Sequence, residues 1–281
     1  MSVFENNFIS MPKLYHFTKF DTGLRILLSR SLKFGHLSQM NDVYENNKNI
    51  LNKITNCYND VNTDNINDEI NHYEQISLTE DRNNLGRMGF ELHQLWGKYA
   101  DCGKGVCLIF NKDELLSKVI EKECVHGPVE YKIDLSQNVN TDIESNDMVE
   151  KRVKQNYNNI FFIKRKEWEH EQEYRIVKRF YSKSEEHYLD IGDSIKYVIL
   201  FNTNTKKFDE KAKKEYQSFI TNTIEYQILK QCINTMNIHI LNYTPNLDNH
   251  EYLLIDLCKE HEVLWNENHY IKNECIKNLD L

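Results

Sequence analysis

Gly103-Lys104-Gly105-Val106-Cys107-Leu108-Ile109-Phe110-Asn111 holds five consecutive apolar residues, entered through two glycines and left through an asparagine. A continuous apolar run this short, bounded by turn residues, reads as a strand buried on both faces, over 106–110. The chain then continues as a helix over 111–122. Upstream, 90–99 reads as a short helix carrying Leu92, Leu95 and Trp96, and 85–89 as a loop. Downstream, 125–131 reads as a strand interrupted by Gly127-Pro128.

The same reading extends to both ends. Pro12 precedes a β-branched and aromatic run, so 14–18 is expected as a strand. Asp21 is positioned to cap a helix to about residue 30, with Leu24, Leu27 and Leu28 on one face. Short strands follow at 32–35 and 74–79. Between them lie a turn at Asn41-Asp42, a polar helix over 43–58 and an Asn- and Asp-rich loop over 59–71. After a polar connection at 134–147, the spacing of Val149, Val153, Tyr157, Ile160 and Phe161 predicts a helix to about 166. Strands are expected at 171–177, 194–201, 238–243 and 252–257, a long amphipathic helix over 206–236, and a mixed helix at the C-terminal end.

Short strands dominate and few crossovers are long. The fold class expected is α+β: a mainly antiparallel sheet with helices packed around it, plus the long C-terminal amphipathic helix. Residues 1–205 form the expected α+β domain with the candidate site, and 206–281 pack on it. The chain has nine glycines and neither Gly-x-Gly-x-x-Gly nor Gly-x4-Gly-Lys, which disfavours a dinucleotide fold or a phosphate loop.

With 281 residues the chain can bury a core without disulfides or metal. Its net charge of −8 argues against general wrapping of nucleic acid. The basic runs Lys164-Arg165-Lys166 and Lys178-Arg179 read as solvated surface charge. Seven cysteines, an odd number with no Cys-x-x-Cys, read as reduced and packed, which places the protein in the cytoplasm. No apolar run approaches the ~20 residues of a membrane span, and no basic-then-apolar leader is visible, so no membrane association is expected.

Trp168-Glu169-His170-Glu171-Gln172-Glu173-Tyr174-Arg175-Ile176-Val177 is the stretch richest in chemistry. On a strand, Tyr174 and Ile176 would face the core, and Glu171, Glu173 and Arg175 would line the opposite face in a row. Arg175 can hold one carboxylate ionised while the other acts, and a carboxylate in a cleft stabilises a developing cation such as an oxocarbenium ion. The plain alternative is a row of surface charges answered by a neighbouring strand.

Tyr15-His16-Phe17-Thr18 places His16 and Thr18 on one strand face, with Tyr15 and Phe17 on the other. His16 can bond a ribose or an amide, although a lone histidine is more often packed or at the surface. Trp96 and Tyr99 share a helix face and can sandwich a flat ring, although such a pair is more often core. Asp42 and Glu45 fit a capping box. His-x3-His and His-Glu-x-x-His are absent, so no metal is expected, and no Gly-x-Ser-x-Gly marks a nucleophile.

Taken in order, these pieces resemble a bacterial family, domain of unknown function 2971. The resemblance rests on Tyr15-His16-Phe17-Thr18, Ile26-Leu27, Leu32-Lys33-Phe34-Gly35 and Asn41-Asp42 with Glu45. It continues through Leu95-Trp96-Gly97-Lys98-Tyr99-Ala100-Asp101, Lys104-Gly105-Val106-Cys107-Leu108 and Trp168-x-x-Glu171-x-Glu173-Tyr174-Arg175. It spans roughly 13–201.

The order His16, central aromatic, late Glu is also similar to the His–Tyr–Glu layout of ADP-ribosyltransferases, including toxins of bacterial defence systems. That resemblance implies a split antiparallel sheet with NAD in its cleft. His16, with Tyr15 and Thr18 beside it, would hold the cofactor. Tyr99 or Trp96 would stack on nicotinamide. Glu173 or Glu171, with Arg175, would stabilise the oxocarbenium-like transition state before an unknown protein or nucleic acid acceptor attacks. The layout departs from the family in that Tyr99 lies on or at the end of a helix rather than on a strand. The alternatives are a non-catalytic interaction or sensor domain of a defence system, and a nuclease with Mg²⁺ on Glu171 and Glu173.

Overall fold

A computed structural model describes residues 3–37, 40, 68–81, 87–133, 149–182, 185–202, 223–233, 236–245, 251–257 and 261–266. The turn at 41–42, the capping box, the helix at 43–58, the polar connection at 134–147 and most of 206–236 lie outside the described residues. The chain divides into two compact units, and each is built from separated segments.

The first unit comprises Met1–Ser31, Thr79–Leu116 and Ile191–Leu281. Its strands are β1 (Lys13–Thr18), β5 (Val106–Asn111), β11 (Ile195–Phe201), β12 (His239–Pro245), β13 (Glu251–Asp256) and β14 (His261–Asn266). They lie side by side in the order β14-β13-β12-β11-β5-β1. Every pairing is antiparallel except β11 with β12, which is parallel. The expected strand over 106–110 is β5, buried on both faces because β1 and β11 flank it and side chains cover it above and below. A further strand at His261–Asn266 pairs with β13, and the mixed helix expected at the C-terminal end lies outside the described residues.

One face of these strands carries a large aromatic cluster. Tyr15, Phe17, Cys107, Ile109, Tyr197, Ile199, Leu241 and Tyr243 meet Phe8, Phe90, Leu95 and Trp96 there. Phe8 comes from helix α1 (Val3–Ser10), and Leu95 and Trp96 from helix α3 (His93–Lys98). Helix α2 (Phe20–Ser29) covers the other face, with Gly23 closing on Thr18 and Val106. Asp21 lies in its first turn but makes no side-chain cap, since Lys19 is the N-cap. Leu28 is 62% exposed rather than on the packed face, which is formed by Gly23, Ile26 and Leu27. Helix α7 (Ile224–Ile233), the described part of the expected long helix, packs against α2.

The second unit comprises Leu32–Leu78 and Ser117–Asp190. Strand β4 (Tyr73–Glu80) contributes residues 73–78 to this unit, and residues 79–80 belong to the first, where they pair with β1. Here β4 is flanked by β3 (Gly35–His36) and by β9 (Glu173–Arg179), and β9 pairs antiparallel with β6 (Val125–Pro128). The expected strand at 125–131 is cut in two after Pro128. Its second half, β7 (Glu130–Lys132), pairs in parallel with β8 (Ile163–Arg165). The helix expected over 149–166 is likewise broken, into α5 (Val149–Gln155), α6 (Tyr157–Phe161) and then β8. Tyr73, Val153, Ile160, Phe161, Phe162 and Val177 form the apolar core of this unit.

Together the described residues are α+β, with mixed but mostly antiparallel sheet. Among them no helix is long and apolar enough to cross a membrane.

Candidate functional site

Side-chain alternation on β9 puts Glu173, Arg175 and Val177 on one face and Tyr174 and Ile176 on the other. The sequence pattern suggests that only the second face is covered. In the structure all five residues Glu173 to Val177 are buried. The charged face shares its side of the strand with Val177, and the apolar cluster of α5 and α6 closes over that side. The row therefore does not lie at the surface.

Glu171 is not part of the strand. Lys166–Glu171 form a 3-10 turn, and Gln172 adopts φ 46°, a left-handed conformation that separates the turn from β9. Glu171 nevertheless folds back beside Glu173. Lys164 Nζ donates to Glu171 Oε2 at 2.8 Å and to Glu173 Oε2 at 3.1 Å. Arg175 grips Glu173 with two parallel bonds, Nε to Oε1 at 2.7 Å and Nη2 to Oε2 at 2.8 Å. Its Nη1 donates to the Phe161 carbonyl at 2.6 Å. Lys164, Glu171, Glu173 and Arg175 are all at most 5% exposed.

Neutral groups complete the cluster. The Glu173 backbone N–H donates to the Tyr131 hydroxyl at 2.7 Å. The Ser77 hydroxyl, on β4, bonds the Glu173 carboxylate, and Gln75 Nε2 bonds Ser77 Oγ at 3.2 Å. The Lys164 ammonium also sits over the Trp168 ring, 4.7 Å from its centre.

Burial by itself would raise the pKa of Glu173. The Arg175 charge and hydrogen bonds, with Lys164 and Ser77, outweigh burial and hold its carboxyl well below the usual carboxylate range. An acid held ionised in this way cannot serve as a proton donor near neutral pH. It can orient a hydroxyl or offset a nearby positive charge.

The residues expected in the first unit fall on two faces of β1. Tyr15, Trp96 and Tyr99 come together in the aromatic cluster. Trp96 is 1% exposed, edge-on to Phe17 at 5.2 Å and stacked on Phe201 at 5.0 Å, and its indole N–H donates to the Phe90 carbonyl. The Tyr15 hydroxyl donates to Asp81. Tyr99, at the end of α3, is half-buried. Half-buried His16 and buried Thr18 occupy the opposite face of β1, the one that α2 covers. Within this unit, then, the imidazole and the α3 aromatics do not share a face.

Sequence reading missed Lys164, Ser77 and Tyr131. The run Lys164-Arg165-Lys166 reads as solvated charge, yet Lys164 is buried. A charge count carries the signal for it: once two carboxylates and one guanidinium are placed in a core, one more cation is needed for neutrality. Among the described residues no group of three or more His, Cys, Asp or Glu side chains is arranged to hold a metal.

No curated protein and no solved structure is similar enough to this chain to count as a match. Residues 95–176 do match a family, described as a protein of unknown function (DUF2971). Trp96, Tyr99, Lys164, Glu171, Glu173 and Arg175 lie inside that segment, and His16 and Ser77 outside it. The part of the chain that carries the four charges of this cluster is therefore similar to the DUF2971 family, whose description names no activity.

Proposed function

We propose that the protein transfers ADP-ribose from NAD to a macromolecular acceptor, in the setting of bacterial defence against phage. Glu173 is the carboxylate that stabilises the positive charge on the reacting ribose. In that reaction the bond from the ribose to nicotinamide breaks, and its electron pair leaves with nicotinamide. An acceptor nucleophile then forms the new bond and loses its proton. The observation that carries this reading is the state of Glu173. It is ionised and oriented at both oxygens by Arg175, as charge stabilisation requires and proton donation does not. Arg175 fixes the carboxylate, and Lys164 bridges it to Glu171. His16 and Tyr99 belong to the reading through the resemblance of motif order alone.

The test is release of nicotinamide, and transfer of label from adenylate-labelled NAD, with bacterial lysate as acceptor. Glu173→Gln should lower both by about 10²–10³-fold, the size found when one transition-state stabiliser is removed, while circular dichroism stays unchanged. A wild-type protein that consumes no NAD with any lysate sinks the proposal.

One observation favours a second reading, a non-catalytic interaction or sensor domain. The four charges are satisfied by one another and by the chain, and so tie β8, the 3-10 turn and β9 together. On that reading a folded Glu173→Gln protein keeps its biological activity. Lys164 and Arg175 pair the same two carboxylates that the nuclease alternative gives to Mg²⁺.

A further inference from the structure

Glu74, on β4, is 3% exposed, and among the described residues both of its polar partners are imidazoles. His187 Nδ1 is 3.0 Å from Glu74 Oε1. His36 stands directly opposite Glu74 in the ladder of β3 with β4, and its Nε2 is 3.4 Å from the same oxygen. Glu171 and Glu173, buried to a similar degree, pair with a lysine and an arginine. Glu74 instead faces two side chains of the one type whose charge changes in the physiological range.

The fixed charges around Glu74 are committed elsewhere. Lys33 feels its field at a distance but pairs with Glu186, which also accepts from the Tyr188 hydroxyl. On β9, Lys178 donates to the Lys122 carbonyl at 2.6 Å. His72, just before β4, lies against the Asp68 carbonyl. With both partner imidazoles neutral, the buried trio carries one net negative charge, and burying such a charge is costly. One proton on either ring cancels it. Each ring already turns a nitrogen to the acid, so the proton arrives without rearrangement. The His187 ring also lies flat on Phe180, with centroids 3.7 Å apart and planes 9° apart, the face of an aromatic that attracts a cation.

The same carboxylate joins three stretches of the second unit. The His187 carbonyl accepts from the Phe34 N–H at 2.9 Å, and the Phe34 ring meets Phe180 edge to face at 5.1 Å. We infer that Glu74, His36 and His187 form a proton-operated clasp, which fastens Phe34–His36 and the stacked rings of Phe180 and His187 to β4 and loosens when both imidazoles are neutral. A proton held by the folded trio and released on unfolding makes the clasp tighter as pH falls and weaker as it rises. The clasp is separate from the Glu173 cluster, and NAD does not enter its test.

The test follows the full chain, with ¹³C-labelled histidine rings and ¹⁵N-labelled amides, by NMR from about pH 8 to about pH 5.5, the range over which imidazoles change charge. His36→Gln and His187→Gln assign the two ring signals. In wild type both signals should move over one shared pH interval, because groups on one acid titrate as a set. The Phe34 amide, bonded to the His187 carbonyl, should move with them. In Glu74→Gln, which keeps the shape and removes the charge, the rings should titrate separately and the Phe34 amide should stay still. The urea midpoint of wild type should also rise more between about pH 8 and about pH 6 than that of Glu74→Gln. Wild-type rings that titrate independently, or a Phe34 amide that does not respond, overturn the clasp, and both readings stand without the variant should Glu74→Gln fail to fold.

Discussion

Arg175 shows at the scale of one residue what the cluster costs and what it holds. Three of its donors are committed, two to Glu173 and one to the Phe161 carbonyl, in a site where it is 1% exposed. Removing one member of a buried pair leaves the other charge uncompensated, which costs about 3–5 kcal/mol. Arg175→Met should therefore lower the stability measured by urea unfolding at pH 7 by that amount. The acid limb has a definite sign. The folded pKa of Glu173 is depressed, so its contribution is fully present above its unfolded pKa of about 4.3. That contribution is lost as pH falls from there toward the folded value. Glu173→Gln should show a shallower loss of stability than wild type between about pH 5 and pH 3. An equally steep acid limb in the variant would show that Glu173 is not held ionised.

At the scale of elements, the join between β1 and β5 depends on Gly105. A Cβ there would lie 2.2 Å from the Thr18 carbonyl oxygen and 2.9 Å from Ala100 Cα, both backbone atoms that cannot swing aside. Gly105→Ala should destabilise the protein by about 1–3 kcal/mol, the usual cost of overpacking, read as a lower urea midpoint with an unchanged slope. The neighbouring elements show which signals the sequence carries. The continuous apolar run of β5 and the largely apolar run of β11 were legible, because burial on both faces leaves little polar alternation to confuse them. The stretch 166–172 was not. Glu171, Glu173 and Arg175 alternate as a strand would, yet the first lies on a 3-10 turn and Gln172 takes a left-handed conformation between them. Polar alternation cannot reveal a single reversed dihedral. The break at Pro128 had a visible cause, a proline that lacks the ladder donor.

At the scale of the whole molecule, each compact unit is assembled from separated segments, and the residues of β4 are divided between them. Strand β4 is thus one continuous strand whose residues are shared out between the two. Two buried thiols report on this. Cys107 is in the core of the first unit, where burial raises its pKa well above the ordinary thiol value. Cys124, raised by burial as well, is in the second. Native-state labelling across a urea series should give the two thiols one shared unfolding free energy, while exposed Cys102 reacts at once. Separate free energies for Cys107 and Cys124 would show two independently folding units.

The sequence by itself determined the class of fold, the strands buried on both faces and the gathering of Glu171, Glu173 and Arg175 into one short stretch of chain. These follow from local apolar patterning and from side-chain type, which neighbouring residues alone can express. Only the tertiary structure decided that the acids are buried, that Lys164 joins them and that His16 and Trp96 take opposite faces of one strand. The physical reason is that burial and charge pairing are set by what packs over a strand. In this chain the covering helices and β8 come from residues 149–165, brought over β9 by the fold rather than by adjacency.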